Sequence, residues 1–341
     1  SFIDSIYQQS KYKVGRSTSP HLLKYNERYA VDGEDASDDV IIEAFEIIEG
    51  KREDIKLTYF EFSTLAAFII FEKAEVDIAI LEVGLGGRLD SVNVVDSDVS
   101  IITNIAIDHT DYLGDTREAI GREKAGVMRG SRPCICGDQD PPQSLLAYAK
   151  EIGTDITFVS KAYEDEIGLE GDHQRLNAAV AIKAVESLAV QNPISKSMIS
   201  EGIKYASIRA RFEKVEIGDK TIILDVAHNP AAVKTLVETL SKSSMQTVAI
   251  FSALVDKDII EMIELASKAI KHWYLVPLSS ERAIESEVLN KKFSSSDSTT
   301  ICQDMESAIH GSLALREVER IVIFGSFYTI ADASIIINKL R

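Results

Sequence analysis

Residues 76–126 read VDIAILEVGLGGRLDSVNVVDSDVSIITNIAIDHTDYLGDTREAIGREKAG, and this stretch decides the fold. Its two apolar runs, Val76–Val83 and Val99–Ile102, have the length and β-branched content that are typical of buried parallel strands. Further on, Thr116 has the chemistry of a helix cap, and Lys124 lies near the end of the same predicted helix. Strand, loop, strand and helix in this order predict an α/β fold.

Polar residues follow both predicted strands. Glu82 stands at the end of the first run, just before a glycine-rich turn, and Asp108 and His109 come after the second run. Because ligands bind outside the carboxyl ends of strands in open α/β sheets, we expect these residues at a ligand site. Taken alone, each residue also has a structural explanation that involves no ligand, Glu82 as a turn residue and His109 as a loop histidine. The turn Gly84–Arg88 does not satisfy the G-x-G-x-x-G dinucleotide pattern.

The composition indicates a globular protein with two domains. The chain has 341 residues, 45% of them hydrophobic and 27% charged, and is too long for one ordinary core. The net charge of −17 argues against non-specific nucleic-acid binding, and no apolar run approaches the roughly 20 residues of a membrane span. The cysteines, two of them in Cys134-x-Cys136, form neither a disulfide framework nor a zinc spacing, so we expect reduced thiols in a cytoplasmic protein.

Strands and helices alternate along the rest of the chain. A hairpin signal at Gly218-Asp219 precedes a regular alternation of both, which predicts a second parallel-sheet unit. We place the boundary where a helix ends and the hairpin starts, which gives an N-terminal domain at 1–208 and a C-terminal domain at 209–341. The most regular predicted elements are the helix Tyr59–Lys73, the strands Thr247–Phe251 and Arg320–Phe324, and the helix Phe327–Leu340.

Three later junctions carry polar residues at predicted helix starts. At Asp225–Pro230, either His228 or Asn229 is expected at the helix N-terminus, where unpaired amides favour phosphate. Ser326 and Asn177 occupy comparable places in the segments GSFYT and GDHQRLN. Each has a structural alternative, because Asn229 and Ser326 are good helix caps and Asn177 fits an ordinary surface position.

Taken together and in this order, several motifs resemble those of one enzyme family. They are LTYFE, LEVGLGGRLDSVN, IAIDHTDYLG, REKAG, GDHQ, RFE, DVAHNP and GSFYT. The family is that of dihydrofolate synthase and folylpolyglutamate synthase, within the Mur ligase superfamily of ATP-dependent amide-bond ligases. The resemblance implies a P-loop-type ATPase domain with a mostly parallel sheet, followed by a smaller Rossmann-like α/β domain.

By matched position, the resemblance implies that Ser19, Glu82, His109 and Lys124 bind metal, with two Mg²⁺ ions at the site. Lys124 matches a lysine that is carbamylated on its side-chain nitrogen. A carbamate supplies the oxygen ligands and the negative charge that an ammonium group lacks. The candidate catalytic residues are Lys124, His109, Arg211 and His228.

The resemblance also implies contacts with ATP and with the organic substrates. The residues matched to ATP contacts are Asn177, Arg211 and Asp225. The residues matched to substrate binding are Thr58, Tyr59, Phe60, Glu61, Leu89, Asp90, Ser91 and Ser326. The family's Gly-Arg-Phe appears here as Ala210-Arg211-Phe212, which leaves the arginine in place.

One motif of the family is not found in this sequence. No G-x-x-x-x-G-K-[ST] pattern occurs, and the family's spacing puts its P-loop just ahead of Ser1. We therefore expect Ser1–Ser10 to continue the helix that follows the P-loop. The first strand, the P-loop lysine and one hydroxyl ligand of Mg²⁺ are then expected upstream.

The implied function is the ATP-dependent joining of L-glutamate to dihydropteroate, to the glutamate tail of a reduced folate, or to both, through an acyl phosphate. We expect a bifunctional enzyme of this kind that acts as a monomer. The alternatives are a Mur-type ligase of cell-wall peptides, a nicotinamide oxidoreductase that uses the glycine turn, and a non-catalytic fragment that binds folate or nucleotide. The segments LTYFE and LEVGLGGRLD favour the folate branch.

Overall fold

The computed structural model describes residues 1–341, which divide into two compact units. The first unit comprises Ser1–Gly168 and His173–Ser207, and the second comprises Leu169–Asp172 and Ile208–Arg341. Parallel strands with intervening helices occur in both units, so the α/β class predicted from the sequence is confirmed. None of the helices is both long enough and apolar enough to span a membrane.

The first unit holds the strands and helices up to α8. Its strands are β1 (Val14–Ser17), β2 (Tyr29–Val31), β3 (Glu34–Asp35), β4 (Ile78–Leu81), β5 (Ser100–Ile102), β6 (Pro133–Cys136) and β7 (Asp155–Phe158). Its helices are α1 (Phe2–Gln8), α2 (Asp38–Lys51), α3 (Tyr59–Lys73), α4 (Thr110–Leu113), α5 (Arg117–Ala125), α6 (Gln143–Ile152), α7 (Asp172–Ser187) and α8 (Lys196–Tyr205).

The strands of the first unit form two separate sheets. One has the order β3-β2-β1-β4, in which β1 pairs parallel with β4 and antiparallel with β2. The other has the order β5-β6-β7 and is parallel throughout. The two runs that were predicted to be buried parallel strands thus belong to different sheets. β4 has a neighbour on one side only. Ala79 in this strand is exposed, so the prediction of a fully buried strand was wrong there.

Local capping explains where the helices of the first unit begin. The Thr58 hydroxyl accepts the Glu61 N–H, and the Glu61 carboxylate accepts the Thr58 N–H at 2.7 Å, so that the two residues form a capping box at the start of α3. The Thr116 hydroxyl accepts the Ala119 N–H at the start of α5, as predicted. The short helix α4, which begins after His109, was not predicted.

The second unit is built on one six-stranded sheet with the order β12-β11-β10-β13-β9-β8. All of its pairs are parallel except the β8–β9 hairpin. Its strands are β8 (Glu213–Ile217), β9 (Lys220–Leu224), β10 (Thr247–Phe251), β11 (His272–Leu275), β12 (Thr299–Ile301) and β13 (Arg320–Phe324). Its helices are α9 (Pro230–Leu240), α10 (Ile259–Ala266), α11 (Ser286–Asn290), α12 (Met305–Leu313) and α13 (Phe327–Leu340).

The core of the second unit lies along its central strands. Every residue of β10 and β13 is buried, as the continuous apolar runs predict for strands with neighbours on both sides. The rings of Phe251, Trp273 and Phe324 contact one another at centroid separations of 4.8–5.9 Å. This packing holds the carboxyl ends of β9, β10 and β13 in fixed positions, and the polar junctions follow directly after β9 and β13.

Candidate functional site

The parallel pair β1–β4 brings Ser19 and Glu82 together. Register places Ser17 opposite Leu81, so the residues that follow each strand emerge side by side. The Ser19 N–H donates to Glu82 Oε2 at 2.9 Å, and the Glu82 N–H donates to the Ser17 carbonyl at 3.0 Å. The Glu82 carboxylate is exposed, and its Oε1 has no hydrogen-bond donor within the chain. One carboxylate oxygen and one hydroxyl are thus available to a ligand at this strand edge.

His109 is held in a strained conformation by the loop after β5. Its backbone lies in the left-handed region, with φ 51° and ψ 42°, which costs a residue with a Cβ roughly 1–2 kcal/mol. Its carbonyl accepts the N–H groups of Tyr112 and Leu113, and its own N–H donates to Asp108 Oδ1 at 2.8 Å. The backbone is therefore fully engaged, while the imidazole is exposed and forms no hydrogen bond within the chain. Such strain is concentrated at functional sites in proteins.

Lys124 lies in the last turn of α5 and is only partly exposed. Its ammonium group forms no hydrogen bond or ion pair in the structure. Burial lowers the pKa of Lys124 below its ordinary value, and the negative charge of Asp108 opposes that shift. A half-buried lysine without a hydrogen-bonding partner is unusual, because the charged form loses hydration and gains only the attraction of Asp108 in return.

The glycine-rich turn after β4 is organised by Asp90. Its Oδ2 accepts the N–H groups of Gly84 and Leu85, both at 2.9 Å, and its Oδ1 accepts the Val92 N–H at 2.9 Å. Asp90 is thus engaged by the fold, whereas its neighbour Leu89 is 78% exposed. Gly84 is required by close approach, since a Cβ there would lie 2.5 Å from the Phe60 ring.

The N-terminal turn of α3 has two faces with different surroundings. Phe60 faces the glycine-rich turn, and Ser91 next to that turn contacts Thr64 through their hydroxyls at 2.7 Å. On the other face, Tyr59, which is 60% exposed, and Thr58 line a cavity of about 400 Å³. The remaining lining residues, which the sequence analysis did not identify, are Tyr25, Phe45, Leu57 and Phe62. Leu57 and Phe62 flank the segment 58–61 directly, whereas Tyr25 and Phe45 lie in earlier elements and carry no local signal.

In the second unit, Asp225 follows β9, and each of its carboxylate oxygens accepts one backbone N–H. Its Oδ2 accepts the Phe212 N–H at 2.8 Å, and its Oδ1 accepts the Ala227 N–H at 2.9 Å. Burial raises the pKa of Asp225, although these two donors and the charge of Arg211 stabilise the carboxylate. Arg211 is exposed, and its guanidinium lies 5.8 Å from the centre of the Phe327 ring.

The two other junctions of the second unit are helix caps. Asn229 Oδ1 accepts the Ala232 N–H at 2.9 Å and begins α9. Ser326 is 2% exposed, and its hydroxyl accepts the Thr329 N–H at 3.0 Å at the start of α13. The capping alternative is therefore realised at both positions. His228 Nδ1 lies 2.8 Å from the Val226 carbonyl oxygen.

Two further observations concern the residues that are candidates for binding ATP and metal. In the first unit, Asn177 lies in the second turn of α7, and its amide donates to Gln174 Oε1 at 3.2 Å. No group of three or more His, Cys, Asp or Glu side chains is arranged to hold a metal ion. The predicted metal set contains only two residues of those types, Glu82 and His109. Any metal site at these residues therefore depends on ligands of other kinds, such as a hydroxyl or a modified lysine.

Two protein-family models match this chain. Residues 40–141 match the Mur ligase middle domain, and residues 210–327 match the Mur ligase glutamate ligase domain. Among curated proteins, the dihydrofolate synthase/folylpolyglutamate synthase of Escherichia coli is 36% identical over 99% of this chain and 83% of its own length. The protein of the same name from Haemophilus influenzae is 33% identical over 97% of this chain and 84% of its own.

Solved structures are similar over nearly the whole chain. The structure of E. coli FolC in complex with DHPP and ADP superposes with a TM-score of 0.90 at 33% identity, covering 99% of this chain and 85% of its own. The bifunctional folylpolyglutamate synthase/dihydrofolate synthase of Yersinia pestis, complexed with AMPPNP and Mn ion, gives a TM-score of 0.88 at 37% identity, with coverage of 97% and 83%.

Proposed function

This chain belongs to the dihydrofolate synthase/folylpolyglutamate synthase family of Mur ligases, and we propose that it joins L-glutamate to a pteroate or folate carboxylate while ATP is converted to ADP and phosphate. The observation that carries the proposal is Lys124, a half-buried lysine with no partner on the helix that follows the two strand-end loops. Residues 1–208 would form the ATPase domain, and residues 209–341 the glutamate-ligase domain.

The reaction has two steps. A carboxylate oxygen of the substrate attacks the γ-phosphorus of ATP, so that an acyl phosphate forms and ADP leaves. The amine of L-glutamate then attacks the acyl carbon, loses a proton, and expels inorganic phosphate as the amide bond forms. Both steps bring negative groups together, so the enzyme must neutralise charge and exclude water that would hydrolyse the acyl phosphate.

Lys124 supplies a ligand through modification. Its lowered pKa increases the fraction of neutral amine, and only the neutral amine adds to carbon dioxide. The neutral amine forms a nitrogen–carbon bond to carbon dioxide and loses one proton, so that the side chain becomes a carbamate with two ligand oxygens. This change also removes the energetic penalty of an unpaired half-buried ammonium group.

The donor set at the first unit then fits Mg²⁺. Glu82 presents a free carboxylate oxygen, Ser19 is held beside it by a hydrogen bond, and Lys124 as a carbamate adds further oxygen. His109 would contribute its exposed imidazole. We propose that these residues hold two Mg²⁺ ions, which when bound supply positive charge beside the phosphates.

The substrate sites are proposed from both units. On the pterin side, the residues are Thr58, Tyr59, Phe60, Glu61, Leu89, Asp90 and Ser91. The aromatic lining next to Thr58 and Tyr59 supports a flat ring as the substrate, since aromatic pairs are stabilised by edge and face contacts. For ATP, the proposed residues are Asn177, Arg211 and Asp225. In the second unit, Ser326 is proposed to bind substrate and His228 to act in catalysis.

The test is the release of ADP by the purified protein, expressed with any residues that its gene encodes ahead of Ser1. With Mg²⁺ and ATP present, we expect release only when both dihydropteroate and L-glutamate are added. Replacing dihydropteroate by tetrahydrofolate then separates an enzyme that extends folate tails from one that only makes dihydrofolate. ADP release that is independent of both organic substrates, or none with either pair, contradicts the proposal.

A further inference from the structure

Arg117 and Asp138 together bind both backbone groups of one residue, Ile105. The Ile105 N–H donates to Asp138 Oδ2 at 2.6 Å, and the Ile105 carbonyl accepts from Arg117 Nε at 3.0 Å. Arg117 Nη2 also donates to Asp138 Oδ1 at 3.1 Å, which closes a ring of three residues. We refer to Arg117, Asp138 and Ile105 as the clamp.

The clamp is anchored in the core of the first unit. Asp138 is 7% exposed, although it is a carboxylate, and it also accepts the Asp140 N–H at 2.9 Å. Ile105 is 4% exposed and packs in the hydrophobic cluster formed by residues of β5, α5, β6 and α6. A buried carboxylate is costly to retain unless it is paired, and here its partners are one guanidinium and two amides.

The placement of Arg117 is not explained by helix stability. It is the first residue of α5, where the positive end of the helix dipole disfavours a cation. Its interactions with Asp138 and Asp140 offset this cost, and Arg117 Nη2 donates to the Asp140 carbonyl at 2.8 Å. The arginine at this position is therefore explained by its contacts outside α5, with Ile105, Asp138 and Asp140.

The clamp ties together the two segments that carry candidate metal ligands. Ile105 precedes His109 by four residues in the loop after β5, and Arg117 starts the helix that ends with Lys124. Fixing Ile105 against the first turn of α5 limits how far the loop can move relative to the helix.

We propose that the clamp is a positioning unit, which holds His109 and Lys124 in the relation that divalent-metal binding requires. The proposal rests on the function proposed above. Arg117 and Asp138 act through the loop and the helix, and they need not touch substrate or metal. In other metalloenzymes, residues that orient ligands affect metal affinity or activity by about 10- to 100-fold.

The first test compares Arg117→Lys with Arg122→Lys. Arg122 lies on the same helix and also forms an ion pair, with Glu151 at 3.1 Å. It forms no hydrogen bond with Ile105, Asp138 or Asp140. Lysine keeps the charge at position 117 and loses the fork that joins Ile105, Asp138 and Asp140. We expect Arg117→Lys to weaken Mn²⁺ binding, measured by calorimetry without substrates, by about 10- to 100-fold. Arg122→Lys is expected to bind Mn²⁺ as the wild type does.

Hydrogen exchange and steady-state kinetics distinguish positioning from general support of the fold. We expect faster amide exchange in Arg117→Lys confined to residues 103–116, and a lower kcat with the KM for dihydropteroate changed by less than about twofold. In Arg117→Ala, millimolar guanidinium should restore part of the Mn²⁺ affinity, whereas methylammonium should not. Faster exchange throughout the first unit, or Mn²⁺ binding equal to that of Arg122→Lys, overturns the proposal.

The same measurements separate this inference from the proposed function. If the wild type binds Mn²⁺ but forms no glutamyl product with any pteroate or folate, the proposed function fails. The Mn²⁺ affinities and the exchange rates of the two lysine variants still decide whether the clamp positions the loop. A wild-type protein that binds no Mn²⁺ overturns both.

Discussion

The polar residues at the strand ends of the two units differ in what the fold does with them. In the second unit, Asp225 accepts two backbone N–H groups, and Asn229 and Ser326 cap helices. In the first unit, the His109 imidazole and the Lys124 ammonium have no partner within the chain, and His109 is strained as well. The second unit thus uses Asp225, Asn229 and Ser326 for structure, whereas in the first unit the side chains of His109 and Lys124 are free to bind ligands.

From this contrast we infer that His109 and Lys124 take part in the chemistry. Strained backbone and unpaired half-buried charge both cost stability, so the fold would be more stable without them. Helix caps and hydrogen-bonded carboxylates contribute to stability, so a structural role is enough to explain them. We therefore expect substitutions of His109 and Lys124 to reduce turnover without destabilising the protein, and substitutions at the caps of the second unit to reduce stability first.

The largest effect is expected for Lys124→Ala. Loss of the carbamate should lower kcat by about 100- to 1,000-fold, because a ligand at the developing charge is removed. Stability should change by less than about 1 kcal/mol, since no hydrogen bond or ion pair is broken. Turnover by ADP release and thermal unfolding are the measurements, with the exposed Lys150→Ala on α6 as the control. Short carboxylates such as acetate should restore part of the activity, and full turnover without them would contradict the carbamate proposal.

His109→Gly tests strain and chemistry in one residue. Turnover should fall by about 100-fold, as expected for loss of a metal ligand. Stability should stay the same or rise by up to about 1 kcal/mol, because glycine adopts the left-handed conformation without a Cβ clash. The matched variant His109→Ala keeps the strain, so it should lose the same activity without any gain in the urea midpoint. Normal turnover in either variant removes His109 from the metal site.

A smaller effect, on stability, is expected for Asn229→Ala in the second unit. Loss of the cap on α9 should cost about 1 kcal/mol of unfolding free energy. Asn229→Asp keeps an acceptor for the Ala232 N–H and should be nearly as stable as the wild type. Urea denaturation measures both. If Asn229→Ala instead lost turnover as completely as Lys124→Ala, at unchanged stability, the contrast between the units would be broken.

The smallest effect is a dependence of stability on pH through His272 on β11. Its ring nitrogens lie 2.8 Å from Ser298 Oγ and 2.9 Å from Thr300 Oγ1, and burial lowers its pKa below the ordinary value of 6.5. The native state therefore binds this proton less readily than the unfolded state does. The contribution to stability is present above pH 6.5 and is lost as the pH falls toward the lowered native pKa.

Unfolding free energies measured at about pH 7.5 and about pH 5.5 test this prediction. In His272→Gln, the difference between the two values should be smaller than in the wild type. The exposed His310→Gln serves as the control, because its contact with Glu306 at 3.9 Å is at the surface. An equal pH dependence of the unfolding free energy in wild type and His272→Gln would contradict the prediction for His272.

The elements that the sequence predicts well are set by local signals. The helix Tyr59–Lys73, the strands Thr247–Phe251 and Arg320–Phe324, and the helix Phe327–Leu340 have the bounds expected, because caps and continuous apolar runs mark their ends. The separation of β4 from β5 into two sheets was not predicted, since strand pairing depends on residues far apart in the chain.

The candidate site was predictable only in part for the same reason. The resemblance singled out Glu82, His109 and Lys124, but the partial burial of Lys124 was not readable from its place in a helix. The aromatic cavity joins residues 25–62, and the clamp joins residues 105–138, so neither forms a compact motif. At Ser326, by contrast, the capping alternative could be stated from the sequence because a cap is a local interaction.

The most direct test of the central claim is to detect the product itself. Each of three proteins, the wild type, Lys124→Ala and Asn229→Ala, is incubated with dihydropteroate, L-glutamate, ATP and Mg²⁺. The pteroyl species are then separated, and their masses are measured by mass spectrometry. We predict one added glutamyl residue with the wild type and with the folded Asn229→Ala, and none above background with an equally folded Lys124→Ala. Product formation by Lys124→Ala at the wild-type rate, or its absence in the wild type, would contradict the account.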